Sequence, residues 1–199
     1  KMPIAKIYIL AGNHDGLPEH RKGSPLEEVA ASGLAEVIWE PKLITGVGFF
    51  LPYTFTEIQV ADVPQGCDVY SHVDIPNIIP GMEVKIGRGL PVVMPDWLPK
   101  KAARVFAGHI HKPQQLGNIT IVGSLISTDL SEVGDIKRAI ITKANTLEFD
   151  SIPIVNRPIM GFEAIYGTPE YAKGIQALRD NPKITTNGIV SVNITCPHT

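Results

Sequence analysis

The residues with the most chemical reach are two imidazoles one position apart, in the stretch Ala107-Gly108-His109-Ile110-His111. They follow an apolar run, 102–107. Side chains at i and i+2 of an extended chain share a face, so His109 and His111 could reach neighbouring points, and Gly108 lets the backbone come close and turn. The run 6–11 makes a similar offer where it passes into Gly12-Asn13-His14-Asp15-Gly16. A third apolar run, 67–71, ends in His72 and is followed by Asp74 and Pro76. A lone His-x-His pair is equally well explained as a half-buried loop. Three strand ends bearing imidazole change the balance, because neutral imidazole is the commonest metal ligand. Asn, Asp and His together suit a borderline ion such as Mn, Fe or Zn better than Ca.

Elements able to hold these groups in place are legible around them. Residues 4–11 read as a near-continuous apolar strand, the pattern of a parallel sheet covered on both faces. Asp15 has two readings, a turn residue beside Gly16 or an acceptor that orients His14. His20, among Glu19, Arg21 and Lys22, reads as a solvated loop residue. Ser24-Pro25-Leu26-Glu27-Glu28 is a helix start with Ser24 as N-cap, and the helix should close near Ser32-Gly33. Short strands follow at 35–39, 42–45 and 47–51. Trp39, Phe49, Phe50 and Tyr53 read as sheet-packing residues rather than a base-stacking platform, since they lack a basic setting. Residues 77–95, rich in Gly and Pro, read as an irregular or two-stranded excursion over one end of the sheet, and 96–102 as a single helical turn. Lys100, Lys101 and Arg104 are the densest basic spot, read as a solvated face. Strands at 119–122, 139–142 and 146–152 come without helices between them, which predicts a second, more antiparallel sheet. A strand at 161–166, a helix at 169–179 and a strand at 188–194 complete a β-α-β piece. His198 at the tail reads as disordered. In an α/β domain the ligand site lies outside the carboxyl ends of the strands, where His14, His72 and His109 all fall.

The composition sets outer bounds. The 199 residues, 44% hydrophobic, suffice for one domain or one plus part of another. A net charge of -2 argues against a uniformly basic surface, so contact with nucleic acid would need a local patch or a partner. Cys67 and Cys196 form neither a disulfide framework nor a CxxC site and read as plain buried thiols in a reducing cytoplasm. No run approaches the roughly 18 apolar residues that span a bilayer, so no membrane contact is expected.

In their order, Gly12-Asn13-His14-Asp15, His72 and Gly108-His109-Ile110-His111 resemble the later motifs of the calcineurin-like metallophosphoesterases. Gln114 or Gln115, then Val122-Gly123-Ser124 and Glu132, are similar to the SbcD-type nuclease branch, DNA-repair exonucleases that pair with an SMC-like ATPase. The likeness covers about 4–158. It implies an α/β fold, a two-sheet sandwich flanked by helices with a pair of divalent ions, Mn among them, at its edge. Asn13, His72 and His109 would ligate one ion and His111 the other. His14 would be the acid or transition-state-stabilising group, with Asp15 positioning it. Two such ions can hold a hydroxide for in-line attack on phosphorus and stabilise the leaving oxygen.

The departures from that pattern matter equally. The family's Asp-x-His and bridging Gly-Asp motifs do not precede Asn13, and Asp62, Asp68 and Asp74 follow it. Residues 4–11 would match an internal strand of the family's sheet. The expectation is therefore the C-terminal part of a phosphoesterase domain, 1–157, followed by a small α+β capping unit or its first half, 158–199. The isolated chain would have at most a partial metal site and little phosphodiesterase activity. Expected partners are DNA, an SMC-like ATPase subunit and a second copy in a homodimer. Rival readings are a small-molecule phosphodiesterase or phosphatase, and a non-catalytic scaffold of the same fold.

Overall fold

The computed structural model describes residues 6–15, 23–53, 58–76, 78, 92–127, 132, 134–143, 146–154, 159–165, 168–180 and 189–195. The expectations for His20, Cys196, His198 and most of 77–95 lie outside the described residues. The architecture is mixed α/β, with one multi-strand mixed sheet and few helices among the described residues.

Strand β1 (Tyr8–Leu10) pairs in parallel with β2 (Glu36–Ile38) across helix α1 (Pro25–Ser32). The helix is bounded as its sequence dictates. Ser24 Oγ accepts the Leu26 N–H at 3.3 Å, Pro25 needs no donor at the first position, and Gly33 closes the helix in the left-handed region at φ 70°. The central sheet has the order β3 (Lys42–Ile44), β4 (Gly48–Leu51), β5 (Asp68–Ser71), β6 (Arg104–Ala107), β8 (Ile119–Ile121), β7 (Gln114–Leu116). Strands β4, β5, β6 and β8 run parallel, and the two edges fold back antiparallel. A short helix, α2 (Leu98–Lys101), leads into β6. Strands β9 (Arg138–Thr142) and β10 (Phe149–Pro153) form an antiparallel pair. The expected β-α-β piece is present as parallel strands β11 (Ile159–Ile165) and β12 (Ile189–Thr195) with helix α3 (Pro169–Asp180) between them.

Register explains why the middle of the sheet reads as unbroken apolar sequence. Phe49, Val69, Val105 and Ile119 lie opposite one another on one face, and with Val63, Val73, Leu98 and Ile110 they form the buried core. Removing each from water stabilises the fold by about 1.5–3 kcal/mol. On the other face Phe50, Tyr70 and Phe106 stack at 4.9 and 5.6 Å. Tyr8 of β1 and Phe149 of β10 cover the two ends of this ladder, at 5.7 and 6.3 Å.

Three expectations are corrected here. The first strand is shorter and half-buried, with Ile7 54% exposed, because β2 is its one pairing partner among the described residues. Arg104 is not part of a solvated face. It is buried in an ion pair with Asp68, opposite it on β5, and its Nη1 also donates to the Glu148 carbonyl at 3.1 Å. Cys67 is half-buried rather than fully so, and is a free thiol. In addition, β7 arises in a stretch whose polar Gln114 and Gln115 concealed it.

Candidate metal centre

Because β5, β6 and β8 run parallel, the loops leaving their C-terminal ends gather at one edge, where the Asn13 loop that follows β1 joins them. That edge holds a cleft of about 220 Å³ lined by Asn13, His14, His72, His109, His111 and Ser124, among others. Backbone bonds place the loops in steps: His72 N–H donates to Leu51 O, Gly108 N–H to Ser71 O and Val122 N–H to Ala107 O. Tyr53 N–H donates to Ala11 O at 3.1 Å, tying the Asn13 loop to the central sheet.

The Asn13 amide is where the histidines meet. Its Oδ1 lies 2.9 Å from His72 Nε2 and 3.3 Å from His109 Nδ1, although 59 and 96 positions separate these residues in the chain. Two donor atoms bound to one ion by bonds of about 2.1 Å stand about 3.0–3.4 Å apart at octahedral or tetrahedral angles. The separations therefore suit a shared ion. The other nitrogen of His109, Nε2, is 3.0 Å from Asp74 Oδ1. A carboxylate acceptor demands the proton on Nε2, so a neutral His109 turns the Nδ1 lone pair toward the Asn13 oxygen. Both ring nitrogens of His109 thus face oxygens, and in that neutral form Nδ1 is the atom free to bind a cation.

His72 is held neutral. Burial first, then the neighbouring His109, His14 and His111, lower its pKa to about 4. Glycines make the room it occupies: a Cβ on Gly12 would stand 2.8 Å from the His72 ring, and one on Gly108 3.1 Å. His109 adopts φ 73°, in the left-handed region that side chains with a Cβ rarely occupy. The pair His109 and His111 thus lies beyond the end of β6, not along an extended strand. Both still face the cleft because Ile110 between them is driven into the core.

His14 is exposed at the cleft. Asp15 takes the turn arrangement, its carboxylate accepting the Gly12 N–H at 2.7 Å and its own N–H donating to Gly12 O at 3.1 Å. His111 Nδ1 is 2.9 Å from Glu132 Oε1. Tyr53, read from sequence as sheet packing, instead stands against the site, its ring centroid 5.9 Å from that of His72 and 5.2 Å from that of His109. Burial and the nearby Asp74 carboxylate raise its hydroxyl pKa. Asp74, seen in sequence two residues after His72 but set aside because it follows Asn13, stands at the site after all, as the partner of His109.

Among the described residues no three His, Cys, Asp or Glu side chains are grouped to hold an ion by themselves. The convergence depends on the Asn13 amide, so the donors that fit one ion are three neutral atoms with Asp74 behind them. Among the described residues no helix is long and apolar enough to cross a membrane. No family model matches the chain, and no curated protein matches it.

Proposed function

We propose that the chain carries the histidine-rich part of a metal-dependent phosphodiesterase site acting on DNA, in a domain of the metallophosphoesterase sandwich type followed by a small capping unit. The observation that carries this reading is the meeting of Asn13 with His72 and His109, with His14 and His111 on the same cleft. The cleft's place, beyond the carboxyl ends of parallel strands, supports it further. The DNA-directed branch, with an SMC-like ATPase subunit and a homodimer as partners, rests on Gly123-Ser124 and Glu132 in sequence. A cytoplasmic setting rests on the two cysteines.

Asn13, His72 and His109 would hold one divalent ion and His111 would contribute to a second. Bound there, such ions act as Lewis acids on a phosphoryl oxygen and make water a nucleophile near neutral pH. The chain's own groups then have separable roles. Asp74 fixes the His109 tautomer, and outer carboxylates of this kind orient ligands and raise their basicity. Burial keeps His72 neutral, with a lone pair to give. His14, exposed at the mouth, would hand a proton to a leaving oxygen. Asp15 shapes the turn that presents both Asn13 and His14.

Three neutral donors leave the ion's charge uncompensated, so binding should be weak and turnover slight in this chain alone. The test is calorimetric titration of Mn2+ into the wild type and a His72→Ala variant. Hydrolysis of linear duplex DNA, bis-p-nitrophenyl phosphate and a phosphomonoester is measured alongside. Binding that His72→Ala abolishes supports the site. Binding unchanged when Asn13, His72 and His109 are all replaced by Ala would overturn it and favour the scaffold reading. Preference for the small diester or the monoester over duplex DNA would move the reading to the small-molecule branch.

A further inference from the structure

A buried polar cluster behind His111 has no part in the chemistry described so far. Glu132 stands at its centre, with Oε1 2.9 Å from His111 Nδ1 and Oε2 accepting from Ser124 Oγ at 2.7 Å. Lys137 donates to the same Oε2 and, at 2.8 Å, to Ser124 Oγ. The Lys137 side chain is 0% exposed and that of Glu132 3%. An ammonium group buried to this degree is retained only when paired, because leaving water costs several kcal/mol per ion after relaxation, on the order of what the pairing returns. Asp135, 3.9 Å from Lys137 Nζ, adds a second negative charge.

This arrangement excludes one tempting chemistry. A serine beside a lysine can be a nucleophile with its base, but here the ammonium faces two carboxylates and the serine hydroxyl donates to Glu132. Ser124 is therefore engaged as a strut. What the cluster does determine is the direction of Glu132. An ionised carboxylate only accepts, so the His111 atom 2.9 Å from it is an N–H. In a neutral imidazole the lone pair then lies on Nε2.

We infer that Glu132, clamped by Lys137 and Ser124, is a positioning residue that selects the Nδ1–H tautomer of His111 and so makes Nε2 the atom offered to a divalent ion in the cleft. The use of that atom rests on the ion-binding reading, whereas the tautomer can be measured without any ion. The spacing from Ser124 to Glu132 and Lys137 acquires a physical reason as well, since the three side chains lock one another and hand the orientation on to His111.

The experiment is a measurement of the imidazole 15N chemical shifts of His111 in the full, metal-free chain at mildly alkaline pH. The wild type should show a protonated Nδ1 and a bare Nε2. Replacing Glu132 by Leu together with Lys137→Met removes both charges at once, so the core keeps apolar volume and the fold is preserved. In that variant His111 should move toward the Nε2–H form, and Mn2+ affinity should fall about 10- to 100-fold, the usual cost of losing an outer partner. Glu132→Gln, whose carbonyl can still accept, should restore the tautomer. A wild-type His111 protonated on Nε2, or an unchanged pattern in the double variant, would overturn the inference. Failure of Mn2+ to bind the wild type strikes the reading of the cleft instead, and is seen on a different signal.

Discussion

Asp74 Oδ1 lies 3.0 Å from Nε2 of His109, on the far side of the ring from the Asn13 amide. The imidazole is thereby strung between a carboxylate that takes its proton and an oxygen that faces its lone pair. Cutting the first contact should loosen the second. Asp74→Ala is expected to weaken Mn2+ binding about 10- to 100-fold, with Asp74→Asn, which keeps an acceptor oxygen, falling between it and the wild type. Calorimetric titration measures this, and equal affinities in all three proteins would refute it.

Gly12 borders His72 so closely that a methyl group has nowhere to go, its Cβ falling 2.8 Å from the ring. Gly12→Ala should cost about 1–3 kcal/mol in urea unfolding and should also displace His72, so ion binding is lost along with stability. Ion binding that survives intact would mean the ring has room to retreat.

The His72 imidazole, held at about 4 in the metal-free protein, gives a pH dependence of definite sign. As pH falls below the ordinary histidine value of about 6.5 the unfolded chain takes the proton first. The stabilising contribution is therefore full above that pH and drains away between about 6.5 and about 4, by at most about 3 kcal/mol. Unfolding free energies measured with chelator across this window should fall more steeply for the wild type than for His72→Gln. Parallel curves would show that His72 titrates alike in both states.

His109 sits at φ 73°, where a Cβ is disfavoured by about 1–2 kcal/mol. Removing the ring in two ways separates backbone from side chain. His109→Ala keeps the strained backbone, and His109→Gly relieves it. The glycine variant should be more stable by about 1 kcal/mol in thermal or urea unfolding, while both lose the ion. A glycine variant no more stable than the alanine one would place the left-handed conformation in doubt.

At the other end of the sheet the Arg104 and Asp68 pair supplies a control. Arg104→Ala strands a half-buried carboxylate and should cost at most about 3–5 kcal/mol, whereas Arg104→Met with Asp68→Leu should recover most of it. Neither should alter Mn2+ affinity measured under folding conditions, since the pair lies at the start of β5 and β6, away from the loops of the cleft.

How far sequence reached follows from what each signal depends on. The strands that lead to His72 and His109 were legible because β6 is buried throughout and β5 is buried at Val69 and Ser71 and half-buried between, which writes largely apolar runs into the chain. The caps of α1 were legible because Ser24 and Gly33 answer to their immediate neighbours alone. Arg104 was misread because its partner, Asp68, is 36 positions away and becomes a neighbour only through strand register. Tyr53 and Lys137 gave no local signal either. An aromatic beside short strands looks like packing, and a lysine in a polar stretch looks solvated, until the fold turns each inward. The strands of the central mixed sheet were legible only as alternating apolar segments. Which strands share a sheet depends on pairings that periodicity does not encode.

Asn13 belongs to the β1 and β2 pair, whereas His72 and His109 are carried by the central sheet, and the bond from Tyr53 N–H to Ala11 O joins the two. An ion gripped by all three side chains would act as a rivet between separately hydrogen-bonded pieces of the molecule. By thermodynamic reciprocity, whatever strengthens the seating of β1 would tighten that grip, and loading the grip would protect the β1 backbone amides from exchange.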